Sequence, residues 1–147
     1  MQGRLPVATA RAPAVLQPMI AEVSYSAFLW AVVVATVIPA AVVAVATLRS
    51  EARWAHWAAA TVQAVVAVNV LSHLASVTVL GGYAPGVVTA ILLNLPFSTY
   101  FFRRASRERW FARGALWATV PAALLIHGPG LFGILALSVR LARVGRL

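Results

Sequence analysis

Residues Asn69 to Pro96 read NVLSHLASVTVLGGYAPGVVTAILLNLP, two apolar arms joined by the short turn Gly81-Gly82-Tyr83-Ala84-Pro85-Gly86. Arms this oily, leading away from a tight turn, read as a helical hairpin suited to a bilayer. On the first arm Asn69 and His73 are four residues apart and share a helix face, with Ser72 and Ser76 inside the same arc of about 100°. Hydrocarbon offers these groups no partner, and leaving them unpaired costs several kcal/mol. The polar stripe must therefore face another helix, a ligand or water.

The rest of the chain agrees with a membrane reading. Of 147 residues, 62% are hydrophobic and only 10% charged, with a mean hydropathy of +0.88. Soluble domains carry about 25% charged residues, so this chain has too little polar surface to cover a water-soluble globule. The absence of cysteine removes disulfides, thiolate metal sites and cysteine nucleophiles. With no Asp, no Gly-rich phosphate loop and no G-x-S-x-G elbow, soluble hydrolase and nucleotide-binding constellations have no candidates.

The net charge of +9 arises from arginine alone, set against Glu22, Glu51 and Glu108. The arginines stand at the ends of apolar runs, where positive-inside bias and lipid phosphates place them, and no soluble basic domain offers a nucleic-acid surface. Arg103, Arg104, Arg107 and Arg109, flanked by Tyr100, Phe101, Phe102, Trp110 and Phe111, read as an interface for anionic lipid headgroups. Richness in Ala, Val and Arg without Lys points to a GC-rich bacterial genome.

These runs predict an all-α fold, a four-span transmembrane helical bundle with a tight hairpin between spans 2 and 3. It forms one integral membrane domain over 1–147, with spans near 23–48, 54–80, 85–102 and 114–139. Residues 1–18 hold three prolines and read as a flexible tail. A secretory signal cleaved near Ala44-Val45-Ala46 is the rival reading, but the uncharged run from Val23 to Leu48 outlasts an h-region of about 7–15 residues. Pro39 predicts a kink near Ala35, Pro96 a break beside Asn94, and His127-Gly128-Pro129-Gly130 a bend or break in the fourth run. His56, between Trp54 and Trp57, reads as a wet interfacial histidine. Loop arginines outnumber terminal ones, a bias that leans toward cytoplasmic loops and external termini.

Depth gathers the polar groups. At about 1.5 Å per residue, His73 lies about 10 Å below the turn side and His127 about 21 Å from the opposite side, the same level in a core about 30 Å thick. Asn69 and Asn94 fall about 16 and 14 Å below that surface, with Glu22 near its rim. One reading of this layer is simple hydrogen bonding between helices. The others are a metal site of His73, His127 and Glu22, a haem iron between the two histidines, or a proton or substrate path.

The stretches Asn69-Val70-Leu71-Ser72-His73-Leu74 and Tyr83-Ala84-Pro85-Gly86-Val87-Val88-Thr89-Ala90, ending in Leu95-Pro96, resemble the small bacterial membrane proteins named for a His-x-x-Glu-Glu motif. That family has an Asn-x-x-x-His helix, a Tyr-x-Pro-Gly-x-x-Thr turn and a Leu-Pro helix, and no established activity. The resemblance implies a four-span bundle in the bacterial cytoplasmic (inner) membrane, with Tyr83, Pro85, Gly86 and Thr89 fixing the hairpin. Its eponymous motif aligns best with Pro18-Met19-Ile20-Ala21-Glu22, which keeps Glu22 but neither the histidine nor the first glutamate. A non-catalytic or degenerate membrane component is the reading this supports. Its rivals are a membrane enzyme or metal- or haem-binding protein using Glu22, Asn69, His73 and His127, and a small proton-coupled transporter. Cofactor, ligand and oligomeric state are left open, a homo-oligomer included.

Overall fold

The computed structural model describes Ala14, Gln17 and residues 23–84, 86–112 and 114–144. Glu22, Pro85 and nearly all of the expected tail lie outside them. Every element among the described residues is helical.

Helix α1 (Tyr25–Leu48) starts where Ser24 Oγ accepts from the Ala27 N–H at 3.2 Å, an N-cap that satisfies one orphan donor of the first turn. It stays helical through Pro39. Helix α2 (Arg53–Leu80) ends on Gly81, whose φ of 63° few other residues adopt cheaply, and the Gly82 N–H reaches back to the Val77 carbonyl at 3.2 Å. That closure turns the chain back within a few residues and makes the expected hairpin.

The returning arm consists of α3 (Val87–Thr89), a wide π turn (Ala90–Asn94) and α4 (Leu95–Arg107). Pro96 has no N–H, and its ring would strike the carbonyl four residues back. The wide turn, in which the Leu95 N–H bonds Ala90 O five residues back, opens the helix there and keeps it continuous. The same device appears in the last arm. A 3₁₀ turn (Ala115–Ala118) leads into α5 (Thr119–Leu125), a π turn (Ile126–Gly130) and α6 (Leu131–Val144). The interruption expected at His127–Gly130 is thus a widened turn inside an unbroken column, because an extra residue in the turn accommodates Pro129.

Among the described residues three columns are long and apolar enough to cross a membrane: Tyr25–Leu48, Arg53–Val79 and Ala115–Ala142. The hairpin's second arm is not among them. From Val87 to Phe102 it extends only about 24 Å, against a hydrocarbon core of about 30 Å, before Arg103 and Arg104 intervene.

Packing is inverted relative to a soluble protein. The buried residues are mostly alanines, such as Ala60, Ala90 and Ala123 at 0% exposure, together with the small polar residues Ser98, Thr119 and Ser138. Large side chains point outward, including Trp30, Ile38, Leu71, Leu92 and Leu125. Lipid tails are as apolar as leucine, so burying leucine between helices gains little in a bilayer, whereas small residues let backbones approach closely. Helix α2 is central: it packs against α1, α4, α5 and both π turns, while α6 packs on α1.

Candidate functional site

Ser72, on the half-buried face of α2, places its Oγ 2.9 Å from His127 Nε2 in the second π turn. The same Oγ lies 3.2 Å from the Val68 carbonyl, while Ser76 Oγ donates to the Ser72 carbonyl at 2.8 Å. A hydroxyl has one proton. When Ser72 gives it to Val68 O, His127 must carry a proton on Nε2 and donate it to Ser72.

One residue further, about 100° around the helix, His73 meets the hairpin. A Cβ placed on Gly86 would stand 2.6 Å from His73 Cε1 and 3.1 Å from its Nε2, so the imidazole rests directly on the glycine backbone. Gly86 has a φ of 85° and opens α3. Its carbonyl accepts from the Ala90 N–H and from Thr89 Oγ1, both at 2.9 Å. Gly86 and Thr89 are thus bonded to each other at the start of the returning arm, and Tyr83 is exposed.

The remaining polar candidates are placed less closely. Asn69 and Asn94 are half-buried, and among the described residues neither side chain makes a hydrogen bond. Asn94 stands in the first π turn, which packs on α2. Among the described residues no three His, Asp or Glu side chains come together, and Glu22, the third ligand of the metal reading, lies outside them.

A second polar contact has no counterpart in the sequence reading. Gln63 Nε2 donates to Ser98 Oγ at 2.7 Å, joining α2 to α4 with both residues buried. Glutamine in an apolar run carries the same burial penalty as Asn69, and that penalty was the available signal. Gln63 lies about 120° around the helix from Asn69 and about 80° from His73, so it faces a different neighbour.

At the opposite end of α2, His56 is half-buried. It stacks on Trp110 with ring centroids 5.8 Å apart, while Trp57 meets Phe111 at 4.7 Å and Phe101 meets Trp110 at 5.6 Å. Glu108 anchors this loop by accepting from Arg104 Nε at 2.7 Å and from Trp110 Nε1 at 2.9 Å. Arg104 Nη1 also donates to Tyr100 Oη at 2.8 Å, and these bonds, to Tyr100 first and Glu108 second, hold the guanidinium above its ordinary pKa.

No curated protein and no solved structure matches the chain. A family model described as "Protein of unknown function with HXXEE motif" matches residues 4–101, well over half the chain, and the chain belongs to that family.

Proposed function

We propose that this protein is a four-span, non-catalytic component of a bacterial cytoplasmic membrane, in which the histidine layer fastens the hairpin to the last span. The carrying observation is the use already made of both imidazoles. His127 is bonded to Ser72 and His73 is seated on Gly86, so each ring joins α2 to a different segment. The hairpin's second arm serves as the fourth span despite its length. Arginine stems at its end extend to the interface, and the bilayer thins locally at modest cost.

The test is elemental analysis and an absorption spectrum of the detergent-purified protein, beside thermal unfolding of Ser72→Ala. The expected result is a metal-free, colourless protein whose Ser72→Ala variant loses about 0.6 kcal/mol, the average for an interhelical bond in a bilayer. A stoichiometric metal or a Soret band, lost in a folded His73→Ala variant, would overturn the packing reading in favour of a cofactor site.

A further inference from the structure

On the outer face of α4 two rows of side chains four residues apart run side by side and leave a groove between them. One row is Leu95, Thr99, Arg103 and Arg107; the other is Pro96, Tyr100, Arg104 and Glu108. The groove spans about 18 Å along the helix, comparable with a phospholipid headgroup and the upper part of its chains. Its chemistry changes along that length. At one end lie Leu95 and Pro96, and Thr99 turns its hydroxyl onto the Leu95 carbonyl at 2.8 Å, leaving little but carbon to offer. At the other end Arg104 is held by Tyr100 and Glu108, the one ion pair among the described residues. Arg103 and Arg107 have no carboxylate partner among those residues and stand one helical turn apart at the same rim.

We infer that this groove binds an anionic glycerophospholipid, with Arg103 and Arg107 clasping the phosphate and the acyl chain lying along Thr99, Pro96 and Leu95. Arginine forms charge-assisted, two-pronged bonds to phosphate oxygens, and its charge favours a lipid of net negative charge over a zwitterion whose amine would meet the same arginines. A free phosphate would use the rim alone. The continuous apolar floor beyond it fits a lipid. Arg104, paired with Glu108 and bonded to Tyr100, is engaged within its own row. The groove is distinct from the histidine layer, but the inference rests on the reading of this arm as lying in the membrane.

Native mass spectrometry of the full chain, released from nanodiscs of mixed phosphatidylglycerol and phosphatidylcholine, counts the lipids retained. The expected result is selective retention of phosphatidylglycerol, weakened about fivefold for each arginine removed and thus about 25-fold in Arg103→Gln/Arg107→Gln, with Arg140→Gln unchanged. Equal loss in Arg140→Gln, or no loss in the double variant, overturns the site. Displacement of the lipid by inorganic phosphate makes it a phosphate site and overturns the lipid assignment.

Because the chain lacks cysteine, Thr99→Cys can be probed alone with a water-soluble maleimide in intact vesicles. Protection at Thr99→Cys without lipid selectivity removes only the groove, whereas ready labelling there removes the membrane reading of the arm as well.

Discussion

Replacing Gly86 with alanine tests the seat of His73. Two costs arise, and they are separable. At φ 85° an L side chain meets the strain of left-handed backbone, about 1–2 kcal/mol. The new Cβ would also stand 2.6 Å from His73 Cε1, about 1 Å inside the usual carbon–carbon separation of about 3.5–4.0 Å, so the ring or the hairpin must move. Overpacking of that kind costs about 1–3 kcal/mol. Gly86→Ala is therefore expected to lose about 2–5 kcal/mol of unfolding free energy in mixed micelles. In a His73→Ala background the obstruction is gone and only the backbone strain remains. The same substitution should then cost about 1–2 kcal/mol, a coupling of about 1–3 kcal/mol across the double-mutant cycle. Equal costs in the two backgrounds would refute the contact, and a cost near zero in both would refute the backbone geometry as well.

Ser98→Ala leaves the buried Gln63 amide without its acceptor and should cost about 1–2 kcal/mol by denaturant titration, most of it recovered by adding Gln63→Leu. Arg109 sits in the left-handed region at φ 53°, just past α4, where the Trp110 N–H bonds Ala105 O at 3.0 Å. Arg109→Gly should stabilise the fold by about 1 kcal/mol and raise its melting temperature by a few degrees. A π turn is a helix with one residue added, so deleting the exposed Leu93 together with Pro96→Ala should restore an ordinary helix and leave Ser98 facing Gln63. Deleting Phe101 instead turns the rest of α4 by about 100° and takes buried Ala105 out of its interface, a loss that should be clear in the same melting assay.

The apolar runs and the hairpin were legible because their signals are local: long stretches without charge, then glycines where the chain reverses. Rise per residue also puts His73 and His127 at one level of the bundle, and His127 bonds Ser72, the neighbour of His73. Azimuth was not legible. Nothing in the spacing says that His127 would meet Ser72 while its neighbour His73, about 100° away, turned to Gly86. The prolines gave a sound warning of lost hydrogen bonds at residues 96 and 129. How a helix absorbs that loss depends on whether a wide turn keeps its packed face in register, which only the assembled columns determine. The ring partners of His56, Trp110 and Phe111, come from a distant loop, so its stacking has no local signal. Arg109 in a left-handed cap carries no local mark, since glycine is the residue that usually announces one. Of the metal reading, Glu22 lies outside the described residues, and two imidazoles alone do not complete a ligand set.

What holds such a bundle together follows from its inverted packing. Between helices in lipid the hydrophobic effect supplies little drive, so a unique arrangement depends on close approach and a few directional contacts. Helix α2 carries three of them. Gln63 reaches Ser98 on α4, Ser72 reaches His127, and His73 rests on Gly86. By helix geometry Ser72 lies about 180° around from Gln63, and His73 about 80° from Gln63 on one side, so the contacts face different neighbours and none can stand in for another. Gln63 and Ser72 are about 13 Å apart along the axis, far enough for their contributions to add. Alanine at the interfaces lets the columns come close in many registers, and these polar contacts select one. Under the packing role proposed above, the histidines join α2 to the hairpin and to the last column. That argument favours a packing role over a chemical one for His73 and His127.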